Sequence, residues 1–304
     1  MIDTTVNIAG ITLKNPVVTA SGTFGFGKEY GEYFPLDALG GICVKGLTLT
    51  PREGNCPPRI AETPMGILNS VGLQNPGVDA FVKTELPRLK QFDTKIIANI
   101  AGNTIEEYEK MAQILSQSET DLIEMNISCP NVKEGGVAFG TNEKTVYEIT
   151  KRVKAVCRQP LIVKLSPNVT SIAQMAVAAY EAGADALSLI NTLLGMKIDI
   201  KTRRPVLFNN VGGLSGPAVR PVAVRMVWEV KNAVPVPIIG MGGIMTGEDA
   251  VEFMLAGASC VAVGTALFRD PMTPIKVIEG IRQYAEEQKV QKVSELTGAV
   301  CIDR

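Results

Sequence analysis

The chain has 304 residues, 46% of them apolar, and its 30 basic side chains nearly balance 31 acidic ones. That length exceeds one ordinary sandwich or bundle and suits two domains or one large α/β barrel, while the near-zero charge removes the electrostatic case for nucleic acid or an anionic membrane surface as a partner. Histidine is absent, so any general base must be a cysteine, lysine, carboxylate, serine or tyrosine.

Eight short apolar, β-branched runs predict strands: "VVTAS" at 17–21, "GICVKG" at 41–46, "KIIANI" at 95–100, "LIEMNIS" at 122–128, "LIVKLS" at 161–166, "ALSLIN" at 186–191, "VPIIGMGG" at 236–243 and "CVAVGT" at 260–265. Their continuous hydrophobicity is that of parallel strands covered on both faces. Between them lie helix patterns. One runs over 104–116 with Glu106 and Glu107 in its first turn, one over 170–183 closing at Gly183, and one over 246–257 from Thr246 to Gly257. This alternation predicts an α/β fold, a (β/α)8 TIM barrel, with no linker dividing residues 1–304; a doubly wound open sheet is the second architecture. Two long connections stand out. Residues 47–77 read as a shaped loop rather than a helix, and 192–217 have room for a small hairpin.

The first residues carry neither a basic n-region nor an apolar h-region, and no apolar run approaches the roughly 20 residues of a membrane span. A cytoplasmic protein is the expectation. The six cysteines are scattered without a CxxC pair, which argues against a disulfide framework and against a local zinc or iron–sulfur motif.

Polar residues close the apolar runs. Ser21, Lys45, Asn99, Asn126, Lys164 and Asn191 stand at or near the strands' C-terminal ends, which a barrel gathers on the face that carries active sites. Singly, each could be a strand terminator or a loop anchor. Two lysines among them call for an anionic or electron-rich ligand, because a buried ammonium is costly alone. The glycines of "GMGGIMTGEDA" 240–250 and "VGTALF" 263–268 follow the last two strands, where barrels often bind phosphate through backbone N–H groups and a helix N-terminus; tight strand–helix packing also favours glycine there. No GxGxxG opens the first βα unit.

Cys129 lies just past a strand end among Asn126, Ser128 and Asn131. A thiol ionises near about 8.5 and can serve as a base after modest tuning; Cys43, Cys157 and Cys260 read instead as small buried hydrophobes. A second polar cluster, "NSVGLQNPG" 69–77, offers the amides of Asn69 and Gln74 beside a permissive Gly72.

Taken in order, "ASGTFG" 20–25, "VKGLT" 44–48, "NSVGLQNPG" 69–77, "NISCPN" 126–131, "VKLSPN" 163–168, "LINT" 189–192, "GMGGI" 240–244 and "VGTA" 263–266 resemble the catalytic subunit of class 1 dihydroorotate dehydrogenases. The likeness spans nearly the whole chain. It is closest to the NAD-linked class 1B, since "NSVGLQNPG" stands where fumarate-linked 1A relatives typically have a Met-Gly-Leu-Pro-Asn variant and "NVKEGG" follows the cysteine.

The resemblance implies an FMN-bound barrel that oxidises dihydroorotate to orotate in pyrimidine synthesis, with hydride leaving C6 for flavin N5 and the C5 proton going to Cys129. It implies substrate contacts at Lys45, Asn69, Ser70, Val71, Gly72, Leu73, Asn126, Asn191 and Thr192. FMN contacts are implied at Ser21, Lys45, Gly46, Asn99, Asn126, Lys164, Ile190, Gly216, Gly242, Gly243, Gly264 and Thr265, with no metal site, and the segment 130–141 is implied to close over the base. Electrons would pass to a separate subunit carrying FAD and a [2Fe–2S] cluster, within a heterotetramer built on a homodimer of this chain. Rival readings are a fumarate-linked class 1A enzyme, another FMN barrel, and a non-catalytic barrel that binds a phosphate ligand. Hydroxy acid oxidases rely on a histidine that this chain lacks, and a self-contained dihydropyrimidine dehydrogenase would need cysteine clusters.

Overall fold

The computed structural model describes residues 2–128 and 139–302. The strands β1 (Val6–Ile8) and β2 (Ile11–Leu13) form an antiparallel hairpin, and β3 (Val17–Thr19) and β4 (Gly41–Cys43) follow. After an excursion through β5 (Ile60–Thr63) and β6 (Gly66–Asn69) come β7 (Lys95–Ile100), β8 (Leu122–Asn126), β9 (Leu161–Lys164) and β10 (Ala186–Leu189). A second excursion holds β11 (Leu193–Met196), β12 (Ile198–Asp199), β13 (Arg204–Pro205) and β14 (Val211–Ser215). The last strands are β15 (Ile238–Met241) and β16 (Cys260–Val263).

Eight of these strands close a parallel barrel in the ring order β10-β15-β16-β3-β4-β7-β8-β9. They are the eight runs expected from the sequence. Alternation along each strand divides the side chains. On β8, Ile123 and Met125 join the core under the helices, whereas Leu122 belongs to the barrel interior with Val18, Ile97, Ile162, Ala186, Ile239 and Cys260. Val6, Ile8 and Leu13 join that inner cluster, so the first hairpin plugs the barrel floor with apolar side chains.

Helices clothe the barrel. A helical stretch over 78–89 includes α1 (Val78–Ala80) and α2 (Leu86–Leu89); then come α3 (Ile105–Ser116), α4 (Glu143–Val156), α5 (Ile172–Glu181), α6 (Arg220–Ala233), α7 (Gly247–Ala256) and α8 (Thr273–Glu287). Their starts follow capping chemistry. Thr104 accepts from Glu107 N, Asn142 from Lys144 N and Thr145 N, and Ser171 from Gln174 N, while Thr246 and Asp249 form a reciprocal box. Gly183 and Gly257 follow α5 and α7 with φ of 99° and 132°. Among the described residues no helix is long and apolar enough to cross a membrane.

The two excursions meet. Strands β11, β14, β6 and β5 form one antiparallel sheet, with Asn69 opposite Gly213. Residues 47–77 therefore hold a hairpin and not only the shaped loop the sequence suggests. The excursions leave the C-terminal ends of β4 and β10, which face each other across the ring, so the sheet arches over the barrel mouth.

Candidate active site

Going up the barrel interior from its apolar floor, five consecutive strands of the ring each contribute one polar side chain: Cys43 from β4, Asn99 from β7, Glu124 from β8, Lys164 from β9 and Ser188 from β10. Asn99, Glu124, Lys164 and Ser188 each lie two residues beyond an inner apolar position, whereas Cys43 belongs to the inner cluster itself, in register with Ile97. Among the described residues, Glu124 and Lys164, 2% and 5% exposed, are the charged side chains that are buried.

Glu124 is a hydrogen-bond hub. It accepts from Asn99 Nδ2 at 2.5 Å, from Ser188 Oγ at 2.6 Å and from the Cys43 thiol at 3.2 Å. Burial first, and then the adjacent Glu124 carboxylate, push the Cys43 thiol well above its ordinary range, with Lys164 opposing. Asn99 keeps a second polar atom: its Oδ1 is buried without a partner among the described residues. A Cβ placed on Gly46 would lie 2.9 Å from that oxygen, 3.4 Å from Leu73 Cδ2 and 3.7 Å from Ser21 Oγ. Four of the expected residues thus surround one point, and only glycine at 46 leaves it open. Lys45 Nζ lies 3.8 Å from where Gly22 would carry a Cβ, on the Ser21 side of this space.

One level higher, Asn126 Oδ1 accepts from Ser128 N at 3.1 Å and from Asn191 Nδ2 at 3.2 Å, and its carbonyl accepts from Tyr108 Oη at 2.7 Å. Asn191 Oδ1 in turn accepts from Thr192 N. From the covering sheet, Asn69 donates to Gly213 O at 3.3 Å. The loop that continues from Asn69 through Ser70, Val71, Gly72 and Leu73 is held by Asn75, which accepts from Thr48 N and Gly77 N and donates to Leu73 O and Thr48 Oγ1. Asn75 and Glu124 are two residues the sequence reading missed. Gln74, read as a site amide, is exposed and accepts from Arg59 instead.

The glycine turns converge on the opposite rim. Gly216, Gly242 and Gly243 all have positive φ, and a Cβ on Gly243 would lie 2.7 Å from Gly216 O. Ile190 donates its N–H to Met241 O and packs beside Gly242. Gly264 opens the short turn after β16, and Thr265 Oγ1 donates to Ser215 Oγ at 2.7 Å, tying that turn to the covering sheet. The N-terminus of α7 is closed from within: Asp249 accepts from Met245 N and Thr246 N and pairs with Arg220. Asp249 thus takes up the two N–H groups that lead into α7.

Cys129 and most of the segment expected to cover it lie outside the described residues. Of the other cysteines, Cys43 and Cys260 are buried as expected, but Cys157 is only partly so, and Cys56 and Cys301 are exposed.

Comparison with known proteins agrees with this geometry. The family model described as dihydroorotate dehydrogenase matches residues 3–284. The chain is 62% identical over 295 residues to "Dihydroorotate dehydrogenase B (NAD(+)), catalytic subunit" of Alkaliphilus metalliredigens (strain QYMF), covering 97% of this chain and 98% of that one. Proteins of the same name from Thermoanaerobacter pseudethanolicus and Petrotoga mobilis are 56% and 54% identical, each over at least 98% of both chains. With a closed eightfold barrel, polar side chains gathered toward the C-terminal ends of its strands and this likeness along its length, the chain belongs to the dihydroorotate dehydrogenase family.

Proposed function

We propose that residues 1–304 act as one FMN-binding domain that oxidises dihydroorotate to orotate as the catalytic subunit of an NAD-linked enzyme. The observation that carries this reading is the point bounded by Gly46, Ser21, Leu73 and the Asn99 Oδ1 that has no partner among the described residues, on the same barrel as the buried Lys164 of β9. A buried acceptor and a buried ammonium fit a ring that presents an N–H edge and gains negative charge; the crowded Gly216–Gly243 turns, with Gly242, Gly264 and Thr265, fit its phosphate. FMN, when bound there, supplies the two-electron acceptor for hydride from C6 of the substrate.

The chain's own residues do the rest. Ser21, Lys45, Gly46, Asn99, Asn126, Lys164 and Ile190 hold the cofactor, and Lys164 places positive charge where charge accumulates. Lys45, Asn69, Asn126, Asn191 and Thr192, with the 70–73 backbone, grip the planar pyrimidine by its amide and carboxylate edges. Leaving those amides unpaired is what rejects analogues. Cys129 takes the C5 proton, acidified by the neighbouring ring carbonyl. The test is anaerobic addition of dihydroorotate to the FMN-reconstituted chain. Bleaching of the yellow flavin with release of one orotate per flavin is expected; a chain that takes up no FMN rules the reading out.

The electrons then leave through a partner. The described residues contain no group of three or more metal-ligating side chains, and the relatives are named as catalytic subunits, which fits a separate FAD and [2Fe–2S] subunit in a heterotetramer located in the cytoplasm. The chain alone should reduce artificial dyes but little NAD, with NAD reduction restored by that partner. Robust turnover with fumarate by the chain alone would favour the class 1A reading.

A further inference from the structure

We propose that Glu124 is a positioning residue of this site: an ionised carboxylate that fixes the Asn99 amide with its oxygen toward the ligand and balances the charge of Lys164. The inference rests on the FMN reading above and deepens it.

Three observations carry it. First, all three groups that reach Glu124 bring a hydrogen atom: an amide N–H, a hydroxyl and a thiol. An ionised carboxylate only accepts, and three donors spread over its two oxygens suit that form. Second, Asn99 can satisfy the carboxylate only with its NH2 end, and this leaves Oδ1 as the buried, unpartnered acceptor beside Gly46. The amide's orientation is therefore set from below by Glu124, not by the ligand. Third, Glu124 and Lys164 are the two buried charges among the described residues and have opposite signs. They stand on the neighbouring strands β8 and β9, with Lys164 in register with Asn126, two residues beyond Glu124, and both act on the Cys43 thiol, in opposite directions.

Yet the pair makes no contact: none of the ion pairs among the described residues, taken to 4.0 Å, includes Lys164. A contact pair would spend the ammonium's hydrogen bonds on the protein. Held apart, Glu124 neutralises the interior while Lys164 keeps its donors for the ligand. Removing the carboxylate leaves an unbalanced ammonium, which favours the added negative charge of a reduced flavin.

The experiment is a dye-coupled redox titration of the FMN-loaded full chain, wild type against Glu124→Gln, which keeps the side chain's shape. The Gln variant should shift the flavin equilibrium toward the reduced form by about tenfold or more, which is about 30 mV for a two-electron couple. Ser188→Ala, which removes one donor but leaves the charge, should shift it much less. An unmoved equilibrium in Glu124→Gln, or an equal shift in Ser188→Ala, overturns the inference. Infrared spectra of the wild-type chain with isotope-labelled glutamate give a reading that needs neither variant nor flavin: absence of a buried protonated carboxyl band is expected, and its presence overturns the proposal. Failure of the wild type to bind FMN would instead remove the functional reading itself, so the two failures are told apart.

Discussion

Asn191 donates its side-chain N–H to Asn126 Oδ1 across 3.2 Å, joining the residues that follow β10 and end β8 at the barrel mouth. The bond commits Asn126's oxygen, which also accepts from Ser128 N, and so, on the functional reading proposed above, the Asn126 NH2 group is the end turned to the ligand. Asn191→Ala should therefore damage Asn126 as well as remove an amide. Each single alanine substitution should raise the KM for dihydroorotate by about 10–100-fold, corresponding to roughly 1.5–3 kcal/mol for a buried hydrogen bond to a charged or polar ligand. Steady-state kinetics on both singles and the double should show strong non-additivity; strictly additive losses would mean that the two amides work independently.

Asn75 makes four hydrogen bonds that hold the 70–77 loop to Thr48. Asn75→Ala should loosen the Leu73 side of the site without touching the glycine turns of the opposite rim. The expected result is a KM raised roughly 5–100-fold, from about 1–3 kcal/mol of unsatisfied backbone, with FMN affinity changed far less. Equal loss of both, measured by FMN titration beside kinetics, would show that the loop supports the whole pocket.

Cys129→Ala should keep its flavin yet slow flavin reduction by about 10²–10⁴-fold at neutral pH, the usual cost of a lost general base. Cys129→Ser should recover only at high pH, because an alcohol is a far weaker acid than a thiol. Stopped-flow reduction at the parent rate in Cys129→Ala would make this cysteine structural.

Burial raises three thiols: Cys43 and Cys260 strongly, and Cys157 to about 12. In the unfolded chain such thiols ionise near about 8.5. Above that pH the unfolded chain binds fewer protons than the folded one, so stability falls as pH rises toward the folded values. Each thiol contributes a slope of up to about 1.4 kcal/mol per pH unit, and none below the unfolded value. Urea unfolding from about pH 7 to about pH 10 should show this loss. Cys260→Ala should flatten it by one thiol's share, even while lowering stability by removing the bond from Cys260 Sγ to Pro16 O. An unchanged slope in that variant would show that Cys260 does not take part.

The barrel strands were legible because each pairs β-branched apolar residues with a turn at its end, and the capped helix starts at Thr104 and Thr246 follow simple local rules. Lys45, Asn99, Asn126 and Lys164 stood out as polar ends of apolar runs. Glu124 did not, although it sits in "LIEMNIS", because its meaning lies in partners 25, 64 and 81 residues away. One strand cannot display what three others aim at it. The covering sheet was equally hidden: strands as short as Ile198–Asp199 carry no readable period, and the register of Asn69 with Gly213 is a long-range fact. Gln74 misled for a related reason. It presents the right chemistry locally, but Arg59 answers it from within the chain.

The sheet over the mouth also dictates an order of events on the ribosome. Asn69 and its partner Gly213 are 144 residues apart, and at about 5–20 residues per second that gap takes roughly 7–29 s to synthesise. Throughout that interval β6 is paired on one side only, with β5, and its other edge offers unpaired backbone groups to any strand nearby. The nascent chain is thus open to misassociation at the segment that later arches over the barrel mouth. A chain that stops short of Val211 keeps that edge for good.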